Sequence, residues 1–231
     1  MNLTEKHIEQ LYDFTRKHFV EHYDLQTELV DHLANGIEAK WQENPKLTFE
    51  EILGLEFKKF GVFGFMDVVE NRQMAMTKKY HKLVWKHFKE FFEVPKIIFT
   101  IFATVLLFIV LKNATLNDIV AVILVLFAAI FAFFEMIKNQ LKMKSKIEEN
   151  KKRWLFEEII SSYGNIMVMA AMPIQILIHF PKFAFINNYS LLILSFLIVS
   201  YYLVNYIILK IIPSKTEEYL RETYPEYEIS K

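Results

Sequence analysis

The stretch that decides the fold is "VPKIIFTIFATVLLFIVL", residues 94–111, in which Lys96 is the only charged residue. A bilayer core about 30 Å thick is crossed by roughly 20 apolar residues in a helix, with a range of about 17 to 25. Three later segments have the same character, residues 119–137, 159–180 and 189–212. Buried core helices of a soluble protein are the alternative, but four runs with almost no charge at their centres favour four membrane spans.

The composition fits a chain divided between water and lipid. Of its 231 residues 53% are hydrophobic and 23% are charged, and most charges lie before residue 94 or between the apolar runs. The net charge is +0, so we expect no direct binding of nucleic acid. Cysteine is absent, which excludes disulfides and thiolate chemistry. The charged start "MNLTEKHIEQLYDF" has no apolar run and predicts no cleavable signal peptide.

Orientation follows from lysine and arginine in the short loops. The segment "KNQLKMKSKIEENKKRW", residues 138–154, and the residues before the first span are rich in both, whereas the other two loops carry only Lys112 and Lys182. Both termini are therefore predicted on the cytoplasmic side of a bacterial inner membrane. The predicted divisions are a cytoplasmic helical domain (1–77), a basic juxtamembrane helix (78–93), a four-span membrane domain (94–212) with a cytoplasmic basic loop (138–158), and a cytoplasmic tail (213–231).

The segment "TKKYHKLVWKHFKEFF", residues 77–92, is amphipathic at helical spacing. One face carries apolar residues at Tyr80, Val84, Phe88 and Phe91. The other carries four lysines that are candidate contacts for lipid headgroups: Lys78, Lys82, Lys86 and Lys89. The pattern predicts a helix at the membrane surface, and a solvated helix packed on its own domain is the alternative.

Four helices are predicted before the membrane. The first spans about Thr4 to His22 and has a stripe of residues at helical spacing: Ile8, Leu11, Tyr12, Thr15 and Phe19. The second has an apolar stripe with i, i+3, i+4 spacing, made of Leu29, Val30, Leu33, Ile37 and Trp41. In the third, Thr48 and Glu51 form a capping box and Gly61 follows the helix end. The predicted small core also includes four aromatic residues: Trp41, Phe57, Phe60 and Phe63.

This domain resembles the helical cytoplasmic domain called HAAS. The resemblance rests on "LQTELVDHLANGIEAKW" (25–41), where Glu28, Leu29, His32 and Leu33 match the family pattern. It continues in "LTFEEILGLEFKKFG" (47–61), with matches at Thr48, Glu50, Glu51 and Gly61. The resemblance implies membrane spans after the domain and signalling to helix-turn-helix repressors of the PadR type.

One departure from the family lies just after Gly61. The family continues with Asp/Ser-Pro, whereas this chain has "GVFGFMD" (61–67). The resemblance and this departure together mark a candidate partner surface: Glu28, His32 and Phe63. For His32 two readings remain open, a pH-sensitive or partner-contacting residue and a hydrogen-bonded histidine at the edge of the core.

The pattern "HFVEH", residues 18–22, has the His-x-x-Glu-His spacing of some zinc peptidases. On one helix His18 and His22 would share a face, but the third ligand would fall at the start of a membrane span. We therefore interpret the pair as a chance pattern on a solvated face. No metal, no cofactor and no catalytic site are predicted.

Few polar groups occur inside the predicted spans. Glu135 has Lys138 at i+3, which predicts an ion pair at the end of the second span. Gln175 and Asn205 are predicted to form hydrogen bonds between helices, and Pro173 is predicted to kink the third span. A candidate intramembrane cluster consists of Pro173, Gln175, His179 and Asn205.

The fold predicted from the sequence is all-α, an N-terminal cytoplasmic four-helix domain followed by a four-helix transmembrane bundle. The leading function is a non-catalytic membrane protein of the signalling or adaptor kind, with the lipid bilayer and a cytoplasmic protein as partners. That protein would be a PadR-type regulator or a transporter subunit. The alternative is a transporter accessory subunit or a small permease.

Overall fold

The computed structural model describes residues 3–113, 117–150, 152–162 and 187–228, and these residues form helices and turns with no β-strand. The predicted all-α class is confirmed. The chain divides into two compact units. The first consists of Met1–Lys78 with Asn150–Glu158, and the second of Lys79–Glu149 with Ile159–Ser230.

The first unit is built from α1 (Glu5–Lys17), α2 (Tyr23–Glu43), α3 (Phe49–Lys58) and the first half of α4 (Met66–Glu90). The predicted stripe of α2 is buried along its whole length, from Leu29 to Trp41. Other buried residues of this unit come from α1, α3, α4 and the turn before α4: Leu11, Ile52, Met76 and Phe65. The amphipathic spacing therefore predicted the core face of this unit.

Local capping places the helix starts. The predicted capping box of α3 is confirmed: the Glu51 N–H donates to Thr48 Oγ1 at 3.3 Å, and the Thr48 N–H donates to Glu51 Oε2 at 2.8 Å. At the start of α1, Thr4 and His7 form the same reciprocal pair, with the His7 ring in place of a carboxylate. Each pair satisfies two N–H groups that the first turn of a helix leaves open.

The end of α1 corrects the prediction of a helix through His22. The Val20 N–H donates to the Thr15 carbonyl at 3.1 Å and the Phe19 N–H to the Arg16 carbonyl at 3.1 Å, the two bonds of a Schellman motif. Phe19 takes the left-handed position with φ 63°, where glycine is usual. Its side chain, predicted on the apolar stripe, is 80% exposed.

The turn between α3 and α4 corrects another predicted core residue. Gly61 (φ 81°) and Gly64 (φ 57°) both take left-handed backbone conformations within "GVFGF". Phe63 is 70% exposed as a result, and Phe65 is the aromatic residue that is buried. A Cβ on Gly64 would approach the Phe57 ring to 2.8 Å, so this position requires glycine on two grounds.

The second unit contains the rest of α4, α5 (Lys96–Asn113) and α6 (Asn117–Asn150), with α7 (Leu155–Ser162) shared between the units. After the undescribed segment come α8 (Asn188–Tyr206), a π-helical stretch (Ile207–Ile211), a short helix (Ile212–Ser214) and α9 (Thr216–Thr223). A 3₁₀ turn, Pro225–Tyr227, follows. The segment predicted as a cytoplasmic tail thus includes a folded helix, with Tyr219 and Leu220 buried.

Two helices in the described part of the chain are long and apolar enough to cross a membrane. They are Lys96–Asn113, with mean hydropathy 2.0, and Asn188–Ser214, with mean hydropathy 2.2. The predicted span 119–137 is helical within α6, which continues as one helix through much of the predicted basic loop to Asn150. Of the predicted span 159–180, only the residues up to Ser162 are described, and they belong to α7.

The π-helical stretch is explained by Pro213. Proline has no N–H, so the Leu209 carbonyl four residues earlier loses its usual helical partner. Asn139 of α6 supplies a replacement, because its Nδ2 donates to the Leu209 carbonyl at 3.1 Å. Beside this bond Lys210 Nζ lies 2.9 Å from Glu135 Oε2. The predicted partner of Glu135 was Lys138, and the structure replaces it with a lysine distant in sequence.

Candidate functional site

The beginning of α2 holds a distant segment of the chain. We call the contact between residues 21–24 and residues 152–158 the clasp. The Tyr23 N–H donates to the Arg153 carbonyl at 2.7 Å. The Leu155 N–H donates to Asp24 Oδ1 at 3.1 Å, which places a buried carboxylate at the N-terminus of α7. That end of a helix favours negative charge, so Asp24 stabilises the start of α7.

Aromatic contacts strengthen the clasp. The Tyr23 and Trp154 rings meet edge to face with centroids 5.3 Å apart, and Lys152 Nζ lies 4.6 Å from the Tyr23 ring centroid. Trp154, Leu155 and Phe156 are all buried. The clasp is thus an apolar contact with a polar border rather than a surface ion pair alone.

A charged network forms that border. His22 Nε2 lies 3.2 Å from Glu158 Oε2, and Arg153 pairs with both Glu21 and Glu158. The hydrogen bond from His22 holds the pKa of Glu158 below its ordinary value of 4.5; burial opposes the shift, and the nearby charges of His22 and Arg153 reinforce it. Glu158 therefore stays ionised at neutral pH, where the clasp contains complementary charges.

The clasp revises the interpretation of "HFVEH". His18 and His22 do not share a helix, because α1 ends at Lys17 and His22 is the N-cap residue of α2. Nor do the two side chains lie free in solvent. The His18 ring packs 4.4 Å from Phe57 and its Nδ1 lies 2.8 Å from the Phe14 carbonyl, while His22 contacts Glu158. In the described part of the chain, no three His, Asp or Glu side chains are grouped to hold a metal ion.

The predicted partner surface is exposed but extends differently from the prediction. Phe63 lies in a short apolar patch, the patch of residues 62–66, in which Val62 is 97% and Met66 61% exposed. His32 is exposed and meets the Phe60 ring edge to face at 5.5 Å. Glu28 lies one helical turn earlier on α2, where it contacts Arg72 of α4 at 3.5 Å. Sequence reasoning missed Val62 and Met66, because only the double glycine turn brings them to the surface.

The basic juxtamembrane helix is present as part of α4, but its apolar face is covered by protein. Tyr80 is buried, and Val84 packs against a cluster of α6 and the π-helical stretch: Ala132, Met136, Ile208 and Leu209. The prediction that this face enters lipid is therefore corrected for Tyr80 and Val84. Lys78, Lys82, Lys86 and Lys89 are all exposed.

A second polar cluster joins α4 to the C-terminal helix inside the second unit. His87 is buried, with Nε2 2.7 Å from Tyr219 Oη and Nδ1 3.0 Å from Glu90 Oε1. Burial, with the charges of neighbouring carboxylates, raises the pKa of Tyr219 to about 12, so the phenol stays protonated at neutral pH.

The candidate intramembrane cluster is described at one position only. Pro173, Gln175 and His179 lie outside the described residues. Asn205 is buried in α8, and its Nδ2 donates to the Tyr201 carbonyl of the same helix at 2.8 Å. The predicted hydrogen bond between helices is thus replaced, for this donor, by one within α8.

The chain was also compared with known proteins. No family model, curated protein or solved structure matches it.

Proposed function

We propose that this protein is a non-catalytic, multi-pass membrane adaptor that passes movement of its membrane helices to a partner-binding cytoplasmic unit. The observation that carries the proposal is the clasp. α6 runs without interruption from Asn117 to Asn150, and the clasp begins at Lys152. The proposed coupling follows the chain, because the segment of the clasp comes directly after α6 in the sequence.

The exposed surface of α5 supports a lipid environment for the second unit. Its outward side carries large apolar residues that are half exposed or more, among them Ile98, Phe99, Ile101 and Phe102. Contiguous apolar surface of this extent is rare on proteins in water, and it suits a helix facing hydrocarbon. The four spans, with both termini on the cytoplasmic side, remain part of the proposal on the distribution of lysine and arginine.

Reporter fusions test the proposed topology. Fusions after Asn113 and after Asn187 should report the outside of the membrane, and fusions after Lys146 and after Lys231 should report the cytoplasm. A cytoplasmic signal after Asn113 would contradict the orientation, because it would place the lysine-rich segment 138–154 outside.

The patch of residues 62–66 is the proposed contact with the cytoplasmic partner. The side chains of Val62, Phe63 and Met66 in this patch are apolar and exposed, and Gly61 and Gly64 take left-handed conformations in the same turn. Exposed apolar side chains of this kind are typical of protein contacts. The partner class carried by the HAAS resemblance is a PadR-type regulator, and a transporter subunit is the alternative.

Site-specific photo-crosslinking tests both the patch and the coupling. A benzophenone amino acid at Phe63 of the full chain should capture one defined protein in cells, and the same group at exposed Lys46 should not. Identification of a transcriptional regulator supports signalling, whereas an ATPase or permease supports the transporter alternative. The variant Arg153→Ala should change the yield at Phe63, while Arg16→Ala, which removes an arginine paired with Asp13, should not. Equal yields in both variants would contradict the coupling.

A further inference from the structure

An apolar groove runs along the surface of the second unit between α5 and α8. It has a volume of about 510 Å³, and its walls include Thr100, Thr104 and Val105 of α5 and Leu192 and Phe196 of α8. Phe92, just before α5, also lines the groove. This volume lies within the range of about 300 to 1,000 Å³ typical of small-molecule sites.

The groove offers no hydrogen bond to an occupant from its two threonines. Thr100 Oγ1 donates to the Phe91 carbonyl at 2.9 Å, and Thr104 Oγ1 donates to the Thr100 carbonyl at 2.9 Å. Both hydroxyl protons are therefore used by the backbone, and the other lining residues carry apolar side chains. A hydrocarbon chain fits such a lining better than a polar group does.

A row of aromatic rings leads from Phe196 and Phe92, which line the groove, to the exposed face of α4. Phe196 and Phe92 have centroids 6.1 Å apart, Phe92 and Phe88 5.1 Å, and Phe88 stacks on Trp85 at 5.6 Å. Trp85 is 57% exposed. Tryptophan at such a position is typical of the boundary between hydrocarbon and headgroups.

Beyond the aromatic row lies uncompensated positive charge. Lys82, Lys86 and Lys89 share the exposed side of α4 with Trp85, and no carboxylate in the described ranges forms an ion pair with them. Lys89 Nζ lies 5.6 Å from the Trp85 ring centroid. The nearby Lys96 is different, because its Nζ lies 3.1 Å from Glu90 Oε2. Burial raises the pKa of Glu90, but the contacts with Lys96 and His87 outweigh burial and keep the pKa below its ordinary value, so this pair is neutral overall.

We propose that the second unit binds an anionic phospholipid, with one acyl chain in the α5–α8 groove and the phosphate against Lys82, Lys86 and Lys89. The inference rests on the membrane placement in the proposed function. The three features match the three parts of a phospholipid in order. The apolar groove suits the acyl chain, the aromatic row suits the glycerol region, and the lysines suit the phosphate. A second copy of the protein is a poorer occupant, because a symmetric contact at this face would set lysine against lysine.

Native mass spectrometry of the full chain tests the proposal. The protein is reconstituted in nanodiscs of phosphatidylcholine with a minority of phosphatidylglycerol, released into mild detergent, and its retained lipids are identified. Val105→Trp fills the groove, and Leu106→Trp is the matched control, since Leu106 is similarly exposed on α5 but does not line the groove. Lys89→Gln removes a rim charge, and Lys112→Gln is its control, because Lys112 also lies over an aromatic ring, at 5.7 Å from Phe108.

The wild-type protein should retain phosphatidylglycerol in preference to phosphatidylcholine. Val105→Trp should abolish retention of both lipids and Leu106→Trp should leave it intact. Lys89→Gln should weaken retention of phosphatidylglycerol about fivefold, the effect of one lysine near an anionic surface, and Lys112→Gln should not. Added inorganic phosphate should not compete.

Three results would overturn the inference. Retention by Val105→Trp equal to wild type would show that the groove holds no lipid. Equal loss in Lys89→Gln and Lys112→Gln would remove the basic rim from the site. A dimer mass lost only in Val105→Trp would make the groove a contact between copies. None of these touches the proposed function, which fails instead if the protein leaves cell membranes in alkaline buffer without detergent.

Discussion

Helices α2 and α5 are both rich in apolar residues, but α2 buries those side chains and α5 exposes most of them. In α2 the apolar side chains from Leu25 to Trp41 are buried inside the first unit. In α5 only Thr100, Thr104 and Leu111 are buried, while Ile98, Phe99 and others lie outside. A helix in water buries its apolar side and exposes its polar side, and a helix in hydrocarbon has no reason to do so. The two helices thus differ in how much of their apolar surface is packed against protein.

The largest expected effect comes from the buried side of this comparison. Leu33→Ala should lower the free energy of unfolding of the first unit by about 3 kcal/mol, because Leu33 is fully buried and leaves a cavity. Ile98→Ala in α5 should cost below about 1 kcal/mol, since the side chain is 66% exposed and lipid refills the space. Denaturant titration of both variants in detergent compares them. Similar losses would mean that α5 is packed against protein.

A charge on each exposed surface distinguishes lipid from water. Phe102→Lys should raise the insertion free energy of α5 by about 3 kcal/mol, as a lysine near the centre of a span does. Val62→Lys, at a side chain 97% exposed in the first unit, should change stability by less than about 0.5 kcal/mol. A translocon insertion assay measures the first and thermal unfolding the second. Unchanged insertion of Phe102→Lys would contradict a membrane-spanning α5.

Polar contacts should matter in the second unit even though many of its large apolar side chains are exposed. Asn139→Leu leaves the Leu209 carbonyl without the amide that replaces its helical partner, and we expect a loss of about 2 kcal/mol. Asn113→Leu is the control, because that amide donates only to the Ile109 carbonyl in its own helix. Thermal unfolding in detergent separates the two. Equal effects would remove the special role of the π-helical stretch.

The smallest effect concerns the clasp and depends on pH: Glu158→Gln should lower stability at neutral pH, and the difference from wild type should disappear in acid. The pKa of Glu158 is lowered in the folded protein, so its contribution to stability is complete above the ordinary value of 4.5 and is lost as the pH falls through the lowered value. Glu158→Gln should remove this acid-dependent part of the stability of the first unit, and exposed Glu9→Gln should not. The midpoint of thermal unfolding measured from neutral to acid pH follows both. Parallel curves for wild type and Glu158→Gln would exclude Glu158 as the source.

The correct predictions from the sequence concern contacts between residues that are close together along the chain. The capping box of Thr48 and Glu51 and the stripe of α2 involve residues within one or two helical turns, where spacing alone determines the contact. The errors involve backbone conformation or distance along the chain. The periodicity predicted that α1 continues through Phe19, but the left-handed conformation of Phe19 ends the helix. Phe63 was predicted in the core, but it lies exposed in the turn that contains Gly61 and Gly64.

The clasp lies beyond any local pattern. Glu135 was paired with Lys138 because only neighbours can be scored from spacing, whereas the structure pairs it with Lys210. In the same way Glu21 and His22 were read with His18, although their partners are Arg153 and Glu158. A hint existed in the lone Trp154 after a run of lysines, since tryptophan at the end of a charged segment suggests a docking point.

The clasp also sets an order of events during translation. Glu21 and Arg153 are separated by 132 residues. At elongation speeds of about 5 to 20 residues per second, the N-terminal helices wait roughly 7 to 26 seconds for the segment that completes their unit. By then α5 and α6 have already been synthesised. Closure of the clasp therefore comes only after both helices exist, and a nascent chain that stalls earlier lacks the segment that contacts Tyr23 and Asp24.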